Sequence, residues 1–207
     1  MKEIDINNWV RKNQYDFFKD FDDPFFGATS NIDCTNLYLQ SKASGESFFI
    51  HYMHKALIAL NEIREFRIRL LDGKVVEFPK IHGSTTVFKQ DHTFSFCRLD
   101  FISQIDEFYQ NSRELLDAAK KDSQLVSKPE LDLVYVSVIP WRSFTSVKNP
   151  RTHNTLDSIP KIVFGKMFQE NGKFLMPVSV EAHHALLDGY HVSCFFNRFE
   201  ELMSNTD

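Results

Sequence analysis

Long apolar runs are missing from this chain of 207 residues. No segment approaches the roughly 20 apolar residues of a membrane-spanning helix, and the start, Met1 to Lys12, has no apolar stretch of signal-peptide length. The cytoplasm is the expected location. Cysteine is scarce as well: Cys34, Cys97 and Cys194 are odd in number and far apart. Neither a disulfide framework nor a paired-cysteine metal site is suggested, and the three read as small core residues in a reducing compartment. Nor is there a surplus of positive charge. Lys and Arg number 24 against 28 Asp and Glu, a net charge of −4, whereas binding nucleic acid needs a basic face. No internal repeat, linker or low-complexity tract divides the sequence, so one domain over residues 1–207 is expected.

Phenylalanine is abundant, at 21 residues. Each buried aromatic removes a large apolar area from water, so burial alone can hold a chain of this size, with Phe left over to line a pocket. Trp9, Val10, Phe17, Phe18 and Phe21 recur near helical spacing and predict a helix over 7–21, closed by Asp22-Asp23-Pro24. Further helical patterns cover 36–42 and 48–66. Phe66 to Leu70 and Val75 to Phe78 flank Asp72-Gly73, a turn pair able to take positive φ, and predict a hairpin. Short strands follow at 85–88 and 93–96, then a long helix from Ile102 that ends in Lys120-Lys121-Asp122. Ser127 to Glu130 reads as a loop. Leu133 to Ile139 is β-branched and stopped by Pro140, and Ile162 to Phe168 is joined to Phe174–Val180 by an Asn171-Gly172 turn; these are the expected central strands. Val192, Phe195, Phe196, Phe199 and Leu202 mark a closing amphipathic helix.

The chemistry-bearing stretch runs from His183 to Gly189. Side chains alternate across a strand, so the imidazoles of His183 and His184 should face opposite ways, and only one can enter a given site. His184 shares parity with Val178, Val180 and Ala182. Asp188 lies four residues on, and Gly189 supplies a permissive backbone for a sharp strand-to-helix connection. A His at a strand end can serve as general base toward a hydroxyl, because imidazole titrates near neutral pH. The same spacing also fits packed histidines beside an Asp that caps the last helix. His184, Asp188 and His191 lack the further ligands a metal shell needs, and no metal is expected.

Six segments carry a resemblance along nearly the whole chain: Asn8 to Arg11, Ser30 to Asp33, Thr86 to Phe88, Thr93 to Ser95, Ser137-x-x-Pro140-Trp141, and His183 to Val192. In order and spacing they resemble the chloramphenicol acetyltransferase family; the HxxxDG element alone would also fit lipoamide acyltransferase cores, but no lipoyl domain or Pro/Ala-rich linker accompanies it. The resemblance implies an α/β fold of CoA-dependent acyltransferase type, a two-layer sandwich of a mixed β-sheet with packed helices. It also implies a homotrimer with active sites between subunits and acetyl-CoA as co-substrate. His184 becomes the base that deprotonates an acceptor hydroxyl, and Ser137 the donor to the tetrahedral oxyanion. Asp188 and Arg11 become a supporting pair, while Trp141, Pro140, Phe49 and Lys166 stand where the family lines its CoA tunnel.

Three departures fall on the acceptor side, one of them Asp22-Asp23-Pro24-Phe25-Phe26, which stands where the family has a more apolar, Cys-containing stretch. Val163 replaces a threonine that helps hold a water at the transition state, a hydrogen bond valine cannot make. Lys161 replaces an apolar pocket residue. A buried ammonium there needs an anion, or else its head points into solvent. Phe17, Phe18, Phe94 and Phe96 keep an aromatic lining able to hold a flat ring. The expected activity is acetyl transfer to chloramphenicol or a related small aromatic alcohol; the alternative is a CoA- or small-molecule-binding protein that kept the fold with weak or no chemistry.

Overall fold

The computed structural model describes residues 1–121, 130–151 and 157–205. Asp122 and Ser127 to Pro129, parts of the expected helix end and loop, lie outside them. The strands are β1 Lys2–Glu3, β2 Phe25–Asp33, β3 Ile68–Leu71, β4 Lys74–Glu77, β5 His82–Phe88, β6 Phe94–Leu99, β7 Leu133–Ile139, β8 Lys161–Gly165, β9 Phe168–Glu170 and β10 Lys173–His183. The α-helices are α1 Lys12–Phe18, α2 Thr35–Ser44, α3 Phe48–Glu62, α4 Ile105–Ala119 and α5 Gly189–Ser204.

The main sheet runs β2-β10-β8-β7-β5-β6, with β9 paired to β10. β5–β7 and β7–β8 are parallel and the other pairs antiparallel, so the sheet is mixed. Helices cover one of its faces. Leu37 of α2, Met53, Leu57 and Leu60 of α3, Phe108 of α4 and Phe195 and Phe199 of α5 join Val134, Val136, Phe164, Val178 and Val180 in one core cluster. α3 forms because its apolar residues recur at helical spacing and Ser47 accepts from the backbone N–H of Ile50 at 3.4 Å as N-cap. The helix lies so close to β5 that a Cβ on Gly83 would fall 2.2 Å from Met53 Cε.

A second sheet, β1-β4-β3, stands beside the first. Both expected hairpin turns have positive φ, at Asp72 and Gly73 (49° and 76°) and at Asn171 and Gly172 (49° and 79°). Arg69 joins the two sheets. It is fully buried, and its guanidinium donates to the carbonyls of Phe66, Ile68 and, on β7, Leu133 at 2.7 to 2.8 Å.

Several boundaries differ from the sequence reading. The first helix is confined to Lys12–Phe18, because Trp9 is extended (ψ 130°) and buried, which ends a 3-10 turn at Ile6–Asn8 before α1 begins. α3 stops at Glu62 and gives way to a 3-10 turn over Arg64–Arg67. β8 ends at Gly165, after which Lys166 N–H donates to Arg142 O at 2.9 Å. The nine-residue strand β2 was not anticipated. Its sequence, Phe-Phe-Gly-Ala-Thr-Ser-Asn-Ile-Asp, lacks alternation because most of its residues are partly exposed on both faces and only Ile32 is buried.

Candidate active site

β10, between β2 and β8, ends at His183, and the chain turns over residues 184–186 before α5 begins. The turn is held on every side. His183 O accepts from Leu186 N at 2.9 Å and Leu187 N at 3.2 Å, and His184 N donates to Pro24 O at 2.8 Å. Ala185 and Leu186 are sunk in a second apolar cluster with Trp9, Tyr15, Ile68 and Val75, while Leu187 belongs to the main core.

Alternation separates the two histidines as expected. Val178, Val180 and Ala182 enter the core, so Ser179, Glu181 and His183 share the other face. His183 is buried, its Nδ1 accepts from Ala185 N at 3.3 Å, and its ring meets Phe25 edge-on at 5.2 Å. Burial pushes its pKa down to about 4; Arg151 and His184 add to the drop and Asp157 opposes it. His184 lies instead against Phe18 and Phe26, with ring centroids 4.0 and 4.5 Å away. Its Nδ1 is buried without a hydrogen-bond partner among the described residues.

Asp188 is the N-cap of α5, its Oδ1 accepting from Tyr190 N at 3.0 Å. Its Oδ2 accepts from Arg11 Nη1 at 2.7 Å, and Arg11 Nη2 reaches the His184 carbonyl at 3.4 Å. Arg11 is thus buried at the N-cap of α1 rather than exposed on a helix. Burial pushes the Asp188 carboxyl up, but the Arg11 hydrogen bond and the fields of His191 and Arg11 outweigh it and hold the group below its ordinary value.

Ser137 sits elsewhere. It lines a cavity of about 350 Å³ with Thr86, Phe94, Pro140, Trp141 and Val163. Ser137 pairs with Val163, and Val163 with Ser179, so these residues form a row across the sheet on the face opposite the helices. His184 is two strands across from Ser137 and five residues along from that row; at roughly 4.8 Å per strand and 3.3 Å per residue, the separation is on the order of 19 Å. Within one chain the two side chains cannot meet at one reacting carbon.

The four expected pocket phenylalanines divide in the same way. Phe17 and Phe18 stand by His184, whereas Phe94 and Phe96, 5.6 Å apart, stand on the Ser137 side. Of the residues expected beside CoA, Pro140 and Trp141 line the Ser137 cavity, and exposed Lys166 is tied to the residue after Trp141 through its main chain. Phe49 packs on Tyr52 at 5.3 Å in the helix layer and is not brought to them.

Lys161 does not point into solvent. It is buried, its ammonium 2.6 Å from Asp157 Oδ2 and 5.0 Å from the centre of the Phe25 ring. The Arg151 guanidinium lies 3.3 Å from the same ring and donates to Glu181 Oε2 at 2.9 Å. Asp157 and Glu181 escaped the sequence reading, as did the contacts made by Arg151 and Phe26. The adjacent pair Phe25-Phe26 was a usable signal, since alternation sends one ring to each histidine.

A mixed sheet with helices on one face and an HxxxDG turn at the end of its strand β10 defines the class: the fold is that of the CoA-dependent acyltransferases. A structure of dihydrolipoamide acetyltransferase from Azotobacter vinelandii superposes with a TM-score of 0.69 at 12% identity, covering 99% of this chain and 92% of that one. Residues 1–200 match the family described as chloramphenicol acetyltransferase, and the chain belongs to that family of acyltransferase enzymes. It is 31% identical to chloramphenicol acetyltransferase 3 of Escherichia coli over 98% of its own length and 97% of the relative's. It is 32% identical to the chloramphenicol acetyltransferase of Clostridium perfringens, with 98% and 94% covered. A solved chloramphenicol acetyltransferase superposes with a TM-score of 0.92 at 32% identity, over 98% of this chain and 99% of that one. Among the described residues, no helix is long and apolar enough to cross a membrane.

Proposed function

We propose that this chain, as one domain over residues 1–207, moves acetyl from acetyl-CoA to a hydroxyl of chloramphenicol or a related small aromatic alcohol. His184 takes the hydroxyl proton as the oxygen attacks the thioester carbon. The oxyanion that forms accepts a hydrogen bond from Ser137 Oγ, the C–S bond breaks, and the proton passes from the imidazolium to the departing thiolate, leaving ester and free CoA. Because Nδ1 of His184 is buried, Nε2 is the nitrogen assigned to this exchange. Asp188 and Arg11 keep the turn in place, Phe17, Phe18, Phe94, Phe96, Lys161 and Val163 surround the acceptor, and Trp141, Pro140 and Lys166 attend the CoA, without Phe49, which packs in the helix layer.

The single observation that carries the quaternary reading is the separation of His184 from Ser137. A base and an oxyanion donor act on neighbouring atoms, so each site takes His184 from one copy and Ser137 from another, as a homotrimer with sites between subunits provides. Free Cys34, Cys97 and Cys194 fit a reducing cytoplasm.

The test is thiol release from acetyl-CoA in the presence of chloramphenicol, with His184→Ala as the reference. Release no faster than that variant's would defeat the assignment. Refolding His184→Ala and Ser137→Ala chains together should restore activity that neither has alone, since mixed assemblies contain sites with both wild-type side chains. A mixture as inactive as its parents would defeat the shared site.

A second reading, a CoA-binding protein with weak chemistry, is favoured by Val163. It is buried directly across from Ser137 and offers no hydroxyl there. A melting temperature raised by acetyl-CoA, with no acceptor acetylated across a panel of alcohols and amines, would support it.

A further inference from the structure

His191 is the third residue of α5, beyond every residue assigned above, yet its contacts lead back to the base. Its Nδ1 is 3.2 Å from the backbone nitrogen of Asp188 and 3.0 Å from Asp188 Oδ1. With Nδ1 bare, the ring accepts the Asp188 N–H and completes a capping box; with Nδ1 protonated, it donates to the carboxylate. Either tautomer grips Asp188, by its main chain or its side chain. On the far side Nε2 faces Glu65 Oε1 at 3.7 Å, and the Tyr190 ring stands edge-on at 5.5 Å. The only other charge on Asp188 among these contacts is Arg11, bound to Oδ2.

A capping box ordinarily carries Glu or Gln at the third helical position. A carboxylate there would stand beside Asp188 and compete with it for Arg11, whereas an imidazole completes the box without a second negative charge. We propose that His191 is a positioning residue for acyl transfer, acting through Asp188 and Arg11 on the carbonyl of His184 and so on the orientation of the base. This rests on the assignment of His184 as base. His191 is too far along α5 to touch the reacting atoms itself, and its whole effect passes through the cap.

Three variants test it: His191→Ala, which removes the grip; His191→Gln, which restores a capping-box side chain without charge; and Asp188→Ala, alone and combined with His191→Ala. His191→Ala should lower kcat about tenfold with little change in KM, in the range expected when a catalytic group is misplaced by a fraction of an ångström. His191→Gln should recover most of the loss. The double variant should be no slower than Asp188→Ala alone, because His191 acts only through Asp188. Amide exchange in the unliganded protein supplies a readout free of turnover: His191→Ala should speed exchange at Leu186 and Leu187, whose N–H groups close the turn, and His191→Gln should not. A mere helix-capping role would loosen the first amides of α5 and leave those two protected. Unchanged kcat with protected turn amides, or multiplicative losses in the double variant, would overturn the proposal. Wild-type protein that transfers no acetyl would defeat the functional reading instead, and the exchange of Leu186 and Leu187 would then decide the role of His191 by itself.

Discussion

The imidazole of His184 lies flat on the ring of Phe18, centroids 4.0 Å apart and planes within 5° of parallel. Phe18 is in turn packed against the second apolar cluster, so the face on which the base rests is anchored to Trp9, Tyr15 and Ile68. Replacing Phe18 with Ala opens one side of the imidazole. The expected result is a kcat lower by roughly ten- to a hundredfold, with a smaller change in KM for acetyl-CoA. Steady-state thiol release checks it, and an unchanged kcat would mean that Phe26 and the turn suffice.

Lys161 and Asp157 form an ion pair, and only the Asp157 end has appreciable access to solvent. Asp157→Ala strands a buried ammonium over Phe25 and should lower stability by about 3 kcal/mol. The paired replacement Lys161→Met with Asp157→Leu should return most of it, since no charge is then left without a partner. Denaturant unfolding of the single and double variants decides the matter.

His183 makes stability depend on pH. Its pKa is about 4 in the folded protein against an ordinary 6.5. Between those values the unfolded chain binds a proton that the folded chain refuses, so stability falls as pH drops from about 6.5 toward 4. A shift of this size corresponds to about 3 kcal/mol over the window. His183→Asn keeps an acceptor for Ala185 N–H but cannot titrate, and should flatten the slope. Unfolding free energies at several pH values from 4 to 7 test this, and an equal slope in wild type and variant would contradict it.

How much of this was legible in the sequence varies with the range of the interactions involved. The hairpin turns at Asp72-Gly73 and Asn171-Gly172 and the separation of His183 from His184 follow from local backbone chemistry, and all were readable. β2 was not, because its residues are partly exposed on both faces and no buried side alternates with a solvated one. The partner of Lys161 was hidden for a different reason. Asp157 is four residues away in sequence but across a loop, and only the path of that loop over the sheet brings the carboxylate onto the ammonium. The distance between Ser137 and His184 depends on strand order, which no local pattern encodes. The motifs name both residues, and the resemblance they carry implies sites between subunits, but only the strand order puts a distance on their separation within one chain.

Asp188 begins α5, and the same carboxylate tethers Arg11 beneath the base. Helix ends are the first parts of a protein to open on warming, well below the temperature at which its core gives way. Each momentary fraying of the first turn of α5 would let go of Arg11 while the sheet stays intact. Heat should therefore disarm the enzyme reversibly before it melts, and activity should fade on warming, and return on cooling, at temperatures where the folded signal has not yet changed.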